Sequence, residues 1–95
     1  MNADDIADAR DYLRKHGTVW PCTITAERYG GVYSGKPWIA FPADAQDGVT
    51  RYASEGDPAM MKFWFDGNNE LLAAIGTGDT PQLAYDDLVA KLSAF

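Results

Sequence analysis

With 95 residues, 46% of them apolar and 13% aromatic, the chain has material for one packed domain over 1–95 and too many large side chains for disorder. Fourteen acidic against eight basic residues leave a net charge of −6, which disfavours direct contact with nucleic acid or an anionic membrane. No apolar run approaches the roughly 18 residues of a membrane span. One cysteine allows no internal disulfide, and the acidic start predicts neither a signal nor a transit peptide, so a cytoplasmic location is expected.

Asn2 is positioned to cap a first helix, Asp4 and Asp5 fall in its first turn, and Gly17 stops it. Ile6, Ala9, Leu13 and His16 make one stripe toward the core, and Arg14, Lys15 and His16 supply cations where the helix dipole favours them. Over residues 18–27, Trp20, Cys22, Ile24 and Ala26 alternate with Val19, Pro21, Thr23 and Thr25, the pattern of a strand. Pro21 cannot donate to a ladder, which sets the start of that strand at a sheet edge. A second strand is expected over 37–41, with the glycine-rich segment between them as a hairpin connection long enough to project.

Residues 42–58 read as a loop with room for one helical turn. Segments 60–65 and 70–75 flank Asp66-Gly67-Asn68-Asn69, a hairpin pattern; the alternative is a short helix over 58–66 opened by Asp57-Pro58. Gly76-Thr77-Gly78-Asp79-Thr80 lacks the ending of a phosphate-binding loop and reads as a turn with a helix cap. Thr80 or Asp79 caps a last helix with Pro81 at its first position and Ala84, Tyr85, Leu88, Leu92 and Phe95 on its apolar face. The element order predicts an α+β fold: an antiparallel sheet of about four strands with an N-terminal and a C-terminal helix packed on one face.

Little in the chain points to catalysis. Nucleophilic schemes need a base, and His16, the single histidine, is accounted for by the helix end. Cys22 sits in an apolar strand as a small buried thiol, Asp86-Asp87 is an exposed doublet, and no Cys/His or aspartate spacing forms a metal motif. The expectation is a protein that is not an enzyme and has no metal and no cofactor.

Residues 28–41 (RYGGVYSGKPWIAF) concentrate the remaining signal. Arg28, Tyr29, Tyr33, Lys36 and Trp38 combine rigid aromatics, two cations and glycine freedom, the composition of a recognition loop. The competing reading has both tyrosines folding back to close a sheet edge. Trp64, on the opposite face of its strand from Phe63 and Phe65, is either core or an extension of the aromatic patch.

Trp38-Ile39-Ala40-Phe41-Pro42-Ala43-Asp44 resembles the strand ending in Phe-Pro of HicB-type antitoxins, and Gly78-Asp79-Thr80-Pro81-Gln82-Leu83-Ala84 resembles their G-D-T-x-x-x-A helix start. That likeness implies a small sheet packed on a helix and a toxin partner. Tyr29-Gly30-Gly31 with Gly35, Trp38 and Ile39 is similar to a segment of ArdA-type antirestriction proteins, acidic proteins that occupy the DNA site of a host enzyme. Together these features lead to a stoichiometric counter-defence inhibitor of a host immune component (CRISPR or restriction type), with a basic-surfaced host or cognate protein as partner. Two alternatives stand beside it: a HicB-like antitoxin for a small basic toxin, and a sponge for a signalling nucleotide. Homodimerisation stays open.

Overall fold

The computed structural model describes all residues 1–95 and is α+β, with four α-helices and a three-stranded antiparallel sheet in the order β1-β2-β3. Helix α1, Ala3–His16, begins with a capping box in which Asn2 and Asp5 exchange backbone-to-side-chain bonds of 2.9 and 3.0 Å. Gly17 ends it in the left-handed region, its N–H donating to the Leu13 carbonyl at 2.8 Å. Ile6, Ala9 and Leu13 are buried, whereas His16 is exposed and lies 4.2 Å, centroid to centroid, from the Tyr12 ring. At about 100° per residue His16 stands about 80° around the helix from Ile6 and about 20° from Ala9, as the last helical residue before the Gly17 cap.

Strand β1 covers Thr23–Ala26, well short of the expected 18–27. Its partner β2, Trp38–Phe41, ends the pairing at Thr23 opposite Phe41, and Pro21 has no N–H to extend it. Before β1 the alternation is reversed: Val19 is buried, Trp20 is exposed, and the Val19 N–H donates to the Tyr85 hydroxyl at 3.1 Å. As the proline implied, β1 is an edge strand.

Neither arm of the expected 60–75 hairpin forms a strand. The alternative helix opened by Asp57-Pro58 is the one that forms: α3, Asp57–Trp64, takes in residues 60–64, starts at an extended Gly56 with a proline in its first turn and buries Met60 and Phe63 one turn apart. Asp66-Gly67-Asn68-Asn69 is therefore not a hairpin. Asp66 accepts the Asn68 N–H at 2.9 Å, and Asn69 caps a 3-10 turn over Glu70–Ala74 while donating its amide to the Phe63 carbonyl at 3.0 Å. Within the expected 42–58 loop a short helix α2, Gly48–Tyr52, is capped by Asp47.

Strand β3 is Gly76–Gly78, so these glycines are strand rather than turn. A Cβ on Gly76 would stand 2.2 Å from the Ala84 carbonyl oxygen, and one on Gly78 2.4 Å from the Ala84 nitrogen. Glycine here lets helix α4, Pro81–Ser93, lie backbone against strand. Helix α4 also closes the outer edge of β3. Asp87 accepts the Thr77 N–H at 2.8 Å, Lys91 donates to the Ile75 carbonyl at 2.8 Å, and the two side chains pair at 2.9 Å. Asp87 is thus half of a backbone clamp, not a free surface acid.

Two buried clusters lie against the sheet. Ala40 packs with α1 (Ile6, Ala9, Leu13) and α4 (Ala84, Leu88, Leu92), where Trp38 and Cys22 sit half-buried. Burial pushes the Cys22 thiol up. Ile39 and Phe41, pointing to the other side of the pleat, join Ala53, Phe63 and Ile75. No helix is long and apolar enough to cross a membrane.

Candidate functional site

The β1–β2 connection coils back on itself around one carboxylate. Glu27, only 4% exposed, ends the strand pairing with its N–H on the Pro37 carbonyl at 2.7 Å. Its side chain turns under the loop and accepts the N–H of Tyr33 at 3.1 Å and of Ser34 at 2.9 Å. The Ser34 hydroxyl lies between Glu27 and the Lys36 carbonyl. Burial alone would raise the pKa of this carboxyl. Hydrogen bonds from the Ser34 hydroxyl and from the N–H groups of Tyr33, Ser34 and Gly31 outweigh it and hold the group below its ordinary value. Gly31 has φ 108°, and a Cβ there would press to 3.0 Å on the Lys36 backbone. The glycines of this segment wind the loop tightly; they do not free it to project.

The wound loop rests on the start of α3. Arg28 donates to the Glu55 carbonyl at 2.6 Å while its guanidinium stands 5.9 Å from the centre of the Tyr29 ring. The Tyr33 hydroxyl donates to Asp57 at 2.5 Å. That bond, with the negative charge of Asp57 beside it, pushes the phenol up to about 12. Tyr29 meets Tyr33 edge-on at 5.5 Å between ring centres, and Tyr33 leans on Phe65 at 5.5 Å. Both tyrosines are half-buried, while Phe65 is 60% exposed and Val32 at the loop tip 68% exposed. Met61, one helical turn before Phe65, is exposed too.

The expected site residues divide into two groups. Arg28, Tyr29 and Tyr33 share one surface. Lys36 points toward α4, with its ammonium 3.6 Å from Asp79, and Trp38 packs half-buried with the α1–α4 cluster, away from the tyrosine row. Phe65, Asp57 and Glu55 complete the surface, Glu27 supports it from beneath, and none of the four was expected from sequence. Phe65 was hidden by its assignment to a strand; a lone glutamate before a glycine-rich segment was the visible trace of the latch.

No family model, curated protein or solved structure matches this chain.

Proposed function

We propose that the chain is a non-enzymatic, stoichiometric binding protein: a counter-defence inhibitor, of phage or mobile-element type, that blocks a host immune component of the CRISPR or restriction class. The observation that carries this reading is the row Tyr29–Tyr33–Phe65, fixed from below by Glu27 and Asp57 yet left partly open to solvent. Aromatic groups already held in place lose little freedom when a partner covers them, which is how recognition surfaces gain affinity. Arg28 flanks the row, and the net acidity of the chain favours a partner with a basic surface.

The test is protection of a targeted phage in bacteria that carry an active CRISPR or restriction system. Expression of the chain is expected to raise plaque counts at least tenfold in one such system, and Tyr33→Ala with Phe65→Ala to abolish the gain while the protein stays folded. No protection in any of them overturns the assignment. Protection that survives both substitutions removes this surface from it.

A HicB-like antitoxin remains the second reading, supported by the junction at which Thr80 caps α4 with a 3.1 Å bond to the Leu83 N–H directly after β3. A neighbouring reading frame for a small basic toxin that co-purifies with the chain would favour it. The nucleotide sponge required Tyr33 and Trp38 to stack together on a base, and their separation speaks against it.

A further inference from the structure

The aromatic loop occupies one end of the β1–β2 hairpin. At the opposite end, where Thr23 pairs with Phe41, a cleft of about 330 Å³ opens between α1 and the segments flanking the two strands. Tyr12 and Trp20 form part of its wall, and Trp20, with 66% of its surface in solvent, is the one exposed tryptophan of the chain. Asp5, Asp8, Asp44 and Asp47 also line it, and no lysine or arginine does.

These four carboxylates are not equivalent. Asp47 is occupied: one oxygen accepts the Val49 and Thr50 N–H groups at 2.9 and 3.4 Å, and the other holds the chain's amino group at 2.6 Å. Asp5 accepts the Asn2 N–H at 2.9 Å and lies 3.7 Å from the same amino group. Asp44 uses one oxygen for the Gln46 N–H at 2.9 Å, and Asp8 takes part in no ion pair. Two carboxylates thus keep acceptor capacity in a cleft that an exposed indole also lines. No three acids, histidines or cysteines converge as metal ligands anywhere in the chain, so the charge is spread too widely for one small ion. It suits an extended planar cation.

We propose that this cleft receives an arginine side chain from a basic partner protein, the guanidinium stacking on Trp20 and its N–H fork reaching Asp8 and Asp44. Arginine fits better than lysine because its planar group can stack on an indole and bond sideways at once, whereas an ammonium is compact and strongly hydrated. The cleft lies apart from the tyrosine row, so the two surfaces succeed or fail independently.

The test titrates the full ¹⁵N-labelled chain with a capped pentapeptide bearing one central arginine, and in parallel with its lysine and citrulline counterparts. Saturable shifts are expected at the Trp20 indole N–H and the Tyr12 and Asp8 amides with arginine, weaker ones with lysine, and none with neutral citrulline. Asp8→Asn with Asp44→Asn, two surface changes that leave the core untouched, is expected to weaken arginine binding at least about threefold, as is Trp20→Ala. An equal response to citrulline, affinity unchanged in the double asparagine variant, or shifts no larger here than at Asp86 and Glu70 overturns the proposal.

Discussion

Tyr33 donates its phenol proton to Asp57 across 2.5 Å, joining the wound β1–β2 connection to the first turn of α3. The pairing places the Tyr33 ring between Tyr29 and Phe65, so one hydrogen bond orients the middle member of the aromatic row.

A spectrophotometric titration of the tyrosines should therefore show a late component from Tyr33. The Tyr33 value is raised from 10.0 to about 12. Its contribution to stability is then complete below the ordinary tyrosine range and is lost as pH rises through the folded value. Asp57→Asn removes the carboxylate, and the late phenol should return toward the ordinary range. A wild-type titration with no late component would contradict the bond.

Glu27 behaves in the opposite sense. Its value lies below the ordinary 4.5, so its stabilisation is present above that pH and disappears as pH falls through the folded value. Protection of the Tyr33 and Ser34 amides against hydrogen exchange, corrected for the intrinsic pH dependence of exchange, should fall on acidification before the core opens. Glu27→Gln should make that protection nearly independent of pH over the same range. Glu27→Ala strands several donors at once and should cost about 2–3 kcal/mol in denaturant melts.

Gly76→Ala is expected to be among the most damaging single changes in the chain. The added methyl meets the Ala84 carbonyl oxygen at 2.2 Å, a backbone atom that no rotamer change can move. The cost should reach or exceed the roughly 1–3 kcal/mol typical of overpacking, read as a fall in the urea midpoint. Adding Ala84→Gly should not rescue it, since the obstruction is main chain. Recovery in the double variant would show that the side chain was the obstacle.

Asp87→Ala leaves the Thr77 N–H without its acceptor and Lys91 without its ion-pair partner. A loss of about 1 kcal/mol is expected, together with association that grows with protein concentration in sedimentation, because the β3 edge is bared. A variant that stays monomeric and equally stable would show that the clamp is ornamental.

The parts of the fold legible in sequence are those whose causes are local. Helix α1 carries its cap at Asn2, its stop at Gly17 and a clear apolar period, and α4 has Thr80 followed by Pro81; both form with these caps, although His16 is exposed and Phe95 lies exposed beyond the end of α4 rather than on its apolar face. The stretch 60–65 misleads because Phe63, Trp64 and Phe65 favour strands intrinsically, while Gly56, Pro58 and the burial of Met60 with Phe63 decide for helix. The candidate surface was half legible. Arg28, Tyr29 and Tyr33 stand out by composition, but Phe65 reaches them only through the tertiary packing of α3 on the loop. Glu27 acts on residues six and seven positions later, a reversal that residue types alone do not specify.

With Asp87 and Lys91 sealing β3, the sheet has a single open margin, at β1. Stacking of molecules edge to edge into a growing fibre needs two such margins per molecule, one to give and one to take. A chain built this way can add a strand from one neighbour and must then stop, so any self-pairing through the sheet terminates at two copies.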